Sequence, residues 1–166
     1  SDTLAVFAAN AHLIPRYKDG VVGLARSMPT SSAVDRVAKS LGIPLFETGT
    51  GYKFFGSLLD AGLISFAGEE SGGIGSDHVR EKDGLWAILF WLNIIAERKC
   101  SIEEILGAHW NRFGRNYFCR LDYDSDDGEM LSALVERLRR QIPTLPGTRF
   151  GEFVVHSADD FSYTDP

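Results

Sequence analysis

The sequence predicts a layered α/β/α domain with a mixed sheet, followed by an incomplete α+β domain. Three observations carry that fold class. Short apolar runs at 21–25, 43–46 and 63–66 alternate with segments of helical period. Glycine and proline turns separate them at the spacing of strand–helix units. Beyond residue 114 only one helix and one or two strands are legible, too few to enclose a core. A length of 166 residues and a hydrophobic content of 44% fit one globular domain plus part of another.

Ser1 and Asp2 are suited to cap a first helix, whose stripe is Leu4, Phe7, Ala8, Ala11 and Ile14. Pro15 and Lys18-Asp19-Gly20 close it. Val21 to Ala25 reads as a buried strand. A second helix follows a cap within Thr30 to Ser32, with Ser31 read as a cap residue, and Gly42 stops it. Ile43 to Phe46 is the second strand and Thr48 to Gly51 a turn. Phe54, Phe55, Leu58 and Leu59 face the core from a third helix ended by Gly62, and Leu63 to Phe66 is the third strand. The helix at 84–98 is apolar on nearly every side, which predicts a place between the sheet and other packed structure. Ser101-Ile-Glu-Glu opens a further helix with a capping box, ending near Gly114. After it come an alternating strand at 116–123, an acidic turn, an amphipathic helix through Met130, Leu134 and Leu138, and a last strand at 150–155. The domains are therefore expected at 1–113 and 114–166.

A net charge of -6 and a pI near 5.2 exclude a general nucleic-acid surface. Any phosphate site must be a local cluster of cations. Two cysteines, Cys100 and Cys119, form no disulfide framework and no CxxC pattern, which fits a reducing compartment such as the cytoplasm. The apolar run at 85–96 is shorter than the ~20 residues a membrane span needs, so no span is expected.

Residues 67–84 concentrate the chemistry. A glycine-loosened loop carries Glu69, Glu70 and Ser71, then His78, Arg80 and Lys82. Carboxylates and hydroxyls suit the alcohol groups of a sugar, and cations suit a phosphate. The loop hangs from the carboxyl end of a strand, where open α/β sheets bind ligands. On spacing alone a solvated acidic loop fits equally well. Four glycines in residues 68–76 predict a mobile flap over the ligand. Glu70 is expected to face away and to pair with Arg80 or Lys82. His78 has no second histidine at metal-ligand spacing. Gly72-Gly73 is no P-loop, since no Gly-Lys-Ser/Thr follows. Asp122 to Gly128 mimics a calcium loop, but its glycine is one place late and Ala133 stands where the last ligand belongs.

Several segments, in order along nearly the whole chain, resemble the phosphoglucomutases of the α-D-phosphohexomutase superfamily. They are Arg26-Ser-Met-Pro-Thr-Ser, Glu47-Thr-Gly-Thr-Gly-Tyr-Lys-Phe-Phe-Gly, Gly68-Glu-Glu-Ser, Gly75-Ser-Asp-His-Val-Arg-Glu-Lys-Asp-Gly-Leu-Trp and Gly114-Arg-Asn-Tyr-Phe. The resemblance implies the third, sugar-binding domain of a four-domain enzyme, plus the start of the fourth. It implies interconversion of glucose 1-phosphate and glucose 6-phosphate through glucose 1,6-bisphosphate, with Mg2+ as cofactor. The family's catalytic serine loop, its aspartate-rich magnesium loop and its second phosphate-gripping loop have no counterpart here, so this chain alone is expected to be inactive. Its implied partners are a hexose phosphate and the remaining domains of the parent enzyme.

By the same resemblance, Glu69 and Ser71 hold the O3 and O4 hydroxyls, and Thr50 and Gly51 belong to a loop that approaches the sugar. Lys82 contacts substrate and is a candidate for proton handling or charge stabilisation. Arg80 and His78 are further candidate contacts, Arg26 is a candidate to reach the domain cleft, and the Tyr52 ring is a candidate pocket wall. Two other readings stay open. One is a sister enzyme acting on phosphomannose or phosphoglucosamine, although Gly-Glu-Glu-Ser resembles the glucose branch. The other is a non-catalytic, parafusin-like scaffold.

Overall fold

A computed structural model describes residues 2–119 and 121–160. The expected Ser1 cap lies outside those residues, as do Arg120 and the segment 161–166. The chain divides into two compact units, Ser1–Phe118 and Cys119–Pro166. The first unit runs past the end of its last helix because residues 114–116 are tied to it. Arg36 donates to the Gly114 carbonyl (3.1 Å) and to Asn116, and Asn116 donates to Ser32 (3.3 Å).

Strands and helices alternate in the first unit. They are α1 (Asp2–Asn10), β1 (Leu24–Ser27), α2 (Ala33–Leu41), β2 (Leu45–Thr48), α3 (Lys53–Asp60), β3 (Phe66–Gly68), β4 (Ile74–Ser76), α4 (Gly84–Arg98) and α5 (Ile102–Phe113). The sheet has the order β2-β1-β3-β4. Its first three strands are parallel and β4 runs antiparallel to β3, so the sheet is mixed.

Side chains alternate across the sheet and fill two layers. On one side Leu24, Phe66 and Ile74 pack with α1, α2, α4 and α5, around Phe7, Phe90 and Ile94. Phe7 stacks on Phe90 with centroids 4.2 Å apart. On the other side Ala25 and Ala67 meet Tyr52, Phe55 and Ile64, so α3 covers that face. The result is the expected α/β/α layering.

Three strands lie two or three residues later than the apolar runs that announced them. The runs at 21–25, 43–46 and 63–66 bring the chain into the core. The ladder then continues into Arg26, Ser27, Glu47, Thr48 and Gly68. Backbone pairing needs no apolar side chain, so hydrophobicity marked where each strand is anchored more than where it ends. Strand β4 escapes periodicity altogether, being three residues long with a central glycine. The first helix stops at Asn10 and gives way to 3-10 turns at Ala11–Leu13 and Pro15–Tyr17, because Pro15 cannot extend an α-helical ladder. Ser32 occupies the cap position of α2 without a side-chain cap bond. The capping box of α5 is complete: Ser101 accepts from the Glu104 amide and Glu104 accepts from the Ser101 amide.

Helix α4 corrects one expectation. Phe90 and Ile94 are buried, but its outer stripe of Leu85, Ile88, Leu89 and Leu92 is 55–76% exposed. Nothing among the described residues of this unit covers that side.

The second unit holds α6 (Gly128–Gln141), capped by Asp127, and a small hairpin of β5 (Arg149–Phe150) and β6 (Phe153–Val154) turning at Gly151. The expected strand at 116–123 is absent among the described residues. Tyr117, Leu121 and Tyr123 are 70–85% exposed there, and alternation without a neighbouring strand gives no ladder. The expected single strand at 150–155 is this hairpin instead. Helix α6 buries none of its residues.

Candidate sugar-phosphate site

Because β1, β2 and β3 are parallel, their carboxyl ends share one edge of the sheet. The register sets Ser27 beside Thr48, and Arg26 beside Gly68. The Thr50-Gly51 turn leaves β2 and Glu69 leaves β3, so residues 18 positions apart in sequence meet at that edge.

Glu69 is the centre of the cluster and is 4% exposed. One carboxylate oxygen, Oε1, accepts from the Gly51 amide (3.1 Å), and Oε2 accepts from the Lys82 ammonium (2.8 Å). Gly51 has φ +124°, a conformation that side chains disfavour, and this glycine lets its N–H point at the carboxylate. The bond to Glu69 raises the Lys82 pKa above its ordinary value, so the amine stays protonated at neutral pH. The lysine side chain is 42% exposed, so the pair opens to solvent on the lysine side.

Ser71 is exposed at the tip, where its Oγ accepts weakly from the Gly73 amide (3.4 Å). Thr50 is exposed on the facing turn. Glu69, Ser71, Thr50, Gly51 and Lys82 therefore gather at one edge. The flap is smaller than the nine residues 68–76 suggested. Gly68 belongs to β3 and Ile74–Ser76 form β4, which leaves a five-residue tip at 69–73. Two backbone bonds close that tip, from the Glu69 amide to Gly73 and from the Gly72 amide to Glu69.

Other candidates sit elsewhere. Arg26 is 7% exposed and lies in an ion-pair cluster beneath the edge. It binds Asp35 through two nitrogens (2.7 and 2.9 Å) and Glu47 at 2.8 Å. Its charge is matched within the fold. Glu70 adds to the negative charge around Lys82, behind Glu69 and Glu81, and is held by a hydroxyl. The Ser27 hydroxyl, itself 2.7 Å from Thr30, donates to it at 3.2 Å. Arg80 pairs with Asp60 at the end of α3. The Tyr52 ring is no pocket wall: it is 5% exposed and edge-on to Phe55. Burial first, then Glu81 and Glu69, raises the pKa of its hydroxyl, which therefore stays neutral. His78 bonds to Ser76 and Asp83 and stacks on Trp86.

Sequence spacing missed these internal partners. No pattern announces that Asp35 and Glu47 serve Arg26, or that Gly73 lies under the Lys82 stem. Magnesium finds no fitting donor set: among the described residues no three of His, Cys, Asp and Glu converge.

Residues 1–113 match the model of phosphoglucomutase/phosphomannomutase α/β/α domain III, and residues 115–166 match that of the phosphoglucomutase-1 C-terminal domain. The chain belongs to the phosphoglucomutase/phosphomannomutase family. It is 57% identical to phosphoglucomutase of Rhizobium radiobacter over 166 residues, which are all of this chain and 31% of that protein. It is 50% identical to human phosphoglucomutase-1 over 173 aligned positions, again 31% of the relative. Among solved structures it is similar to the open form of the Paramecium exocytosis-sensitive phosphoprotein pp63/parafusin, a phosphoglucomutase. That match has a TM-score of 0.82 at 50% identity, over 91% of this chain and 27% of the other. The chain thus spans less than a third of the curated relatives it matches.

Proposed function

We propose that this chain is the sugar-phosphate-holding part of a phosphoglucomutase that interconverts glucose 1-phosphate and glucose 6-phosphate. Glu69 carries the reading: a nearly buried carboxylate, fixed by one amide, that faces solvent through a single lysine. An ionised carboxylate offers about four acceptor sites and an ammonium three donors. The Gly51 and Lys82 bonds use two of the former, which leaves acceptors for two adjacent sugar hydroxyls. Lys82 keeps two donors for a phosphate or for the hydroxyl that receives one. Ser71 adds a hydroxyl able to donate and accept.

The two carboxylate oxygens are chemically equivalent. The site can therefore hold neighbouring hydroxyls when the sugar binds with its ends exchanged, as a reaction through glucose 1,6-bisphosphate requires. Phosphoryl transfer depends on positioning and charge stabilisation, and Lys82 supplies both beside the transferring group. Donor serine and Mg2+ belong to the rest of the parent enzyme in this reading, with a domain boundary near 114. That remainder also covers the apolar outer stripe of α4. Cys100 and Cys119 are both free, in keeping with a reducing, cytoplasmic setting.

The test is a calorimetric titration of glucose 1,6-bisphosphate into the 166-residue chain and into Glu69→Ala. Wild-type binding that weakens at least tenfold in the variant is expected. Equal affinities would remove Glu69 from this role. Parallel titration with mannose and glucosamine phosphates separates the glucose reading from its sister specificities.

A further inference from the structure

His78 sits at the join between the end of β4 and the start of α4. Its Nδ1 lies within hydrogen-bond distance of the Ser76 hydroxyl, and its Nε2 is 2.8 Å from Asp83 Oδ2. Ser76 is fully buried at the end of the strand. Asp83 is the cap of α4, where its other oxygen, Oδ1, accepts from the Trp86 amide at 3.0 Å. The Asp83 amide in turn donates to the Ile74 carbonyl at 2.9 Å. The imidazole lies nearly parallel to the Trp86 ring, at 21° and 5.9 Å between centroids. A single side chain thus ties both ends of the segment 77–82, and the last residue of that segment is Lys82.

The proton inventory is constrained. Bonds from His78 and from the Trp86 amide hold the Asp83 carboxyl below its ordinary pKa, so it is an ionised acceptor. His78 Nε2 must therefore carry a hydrogen. In the neutral ring Nδ1 is then an acceptor and Ser76 donates to it. Both nitrogens are occupied, so the ring has no free hydrogen-bonding atom for a sugar or phosphate.

We propose that His78 is a positioning residue, which through Ser76 and Asp83 holds segment 77–82 so that the Lys82 ammonium meets Glu69. The proposal builds on the assignment of Glu69 and Lys82 to the sugar-phosphate site. Without the bridge, Asp83 keeps its helix-cap bond but loses one lateral support. Lys82 then samples orientations away from the carboxylate, and the site loses its preorganised cation.

Two measurements on the 166-residue chain test this. His78→Phe keeps an aromatic ring on Trp86 and deletes both hydrogen bonds, while Ser76→Ala deletes one and leaves the histidine. Ring-nitrogen NMR of the wild type should show hydrogen on His78 Nε2. The Lys82 ammonium resonance, sheltered by Glu69, should persist in wild type and broaden in both variants. A neutral Nδ1–H ring, or a sharp Lys82 signal in a folded variant, would overturn the proposal. Titration with glucose 1,6-bisphosphate supplies the second readout. Both His78→Phe and Lys82→Ala should weaken binding about tenfold. The double variant should bind no worse than Lys82→Ala, because His78 acts through that lysine. Multiplying losses contradict that route. If His78→Phe does not fold, Ser76→Ala carries the same comparisons. If the wild type binds no bisphosphate, the sugar-phosphate reading fails, and the ligand-free Lys82 signal still decides whether His78 positions the lysine.

Discussion

Replacing Gly73 by alanine should separate ligand binding from stability. A Cβ at Gly73 would lie 2.3 Å from Lys82 Cδ, 3.1 Å from Cγ and 3.3 Å from Cε. Carbon atoms settle at roughly 3.5–4.0 Å, so the lysine stem must retreat by more than about 1 Å. The ammonium now sits 2.8 Å from Glu69, and a retreat of that size breaks the contact. The pair is 42% exposed on the lysine side but only 5% on the Glu69 side, so its loss leaves a nearly buried carboxylate with one partner fewer, at a cost of about 1–3 kcal/mol. Alanine also restricts the unfolded chain, which returns roughly 0.4–1 kcal/mol because Gly73 does not require a left-handed backbone. The return offsets only part of that loss. Urea unfolding of Gly73→Ala should therefore show a cooperative transition with a modestly lowered midpoint. Calorimetric titration with glucose 1,6-bisphosphate should show affinity reduced about tenfold. Wild-type affinity in Gly73→Ala would refute the reasoning, since it would mean that the Lys82 position over Gly73 is irrelevant to the site.

Arg26→Leu removes the partner of Asp35 and Glu47 but leaves both carboxylates partly solvated, at 34% and 42% exposure. Denaturation should show a loss of about 2–3 kcal/mol, below the range for fully buried pairs. His109 is buried, and burial lowers its pKa. Its contribution is complete above the unfolded value of about 6.5 and is lost as pH falls toward the folded value, because the unfolded chain takes up the proton first. Stability measured between pH 7.5 and pH 5 should fall, and His109→Gln should flatten that slope. Substituting Leu85, Ile88, Leu89 and Leu92 by glutamine should reduce binding of a hydrophobic dye without lowering the thermal midpoint by more than a few degrees, since these residues are 55–76% exposed. A coupled assay on the pure chain should detect no mutase turnover.

Much of the scaffold was legible because its signals are local. Helices α2, α4 and α5 follow from apolar spacing and from caps a few residues away, such as the Ser101–Glu104 box and Gly42. Strand ends were less legible, since the ladder runs past the apolar residues that anchor it. The segment 116–123 alternates like a strand and has no neighbour with which to pair. The all-round apolarity of α4 was visible, whereas its bare outer stripe was not.

Local order along the chain determined the alternation of strands and helices, the scarcity of core-forming elements beyond residue 114 and the concentration of carboxylates and cations at 67–84. Residue types alone were enough there, because capping, helical period and charge act over a few positions. Partnership was decided only in three dimensions. Parallel pairing of β1, β2 and β3 carries Gly51 to Glu69, and the β3–β4 turn returns Lys82 to the same carboxylate. The same folding matches Arg26 to Asp35 and Glu47 and commits His78 to Ser76 and Asp83. A charged side chain takes whichever counter-charge the fold brings within about 4 Å, and that choice is made by strand register and helix packing.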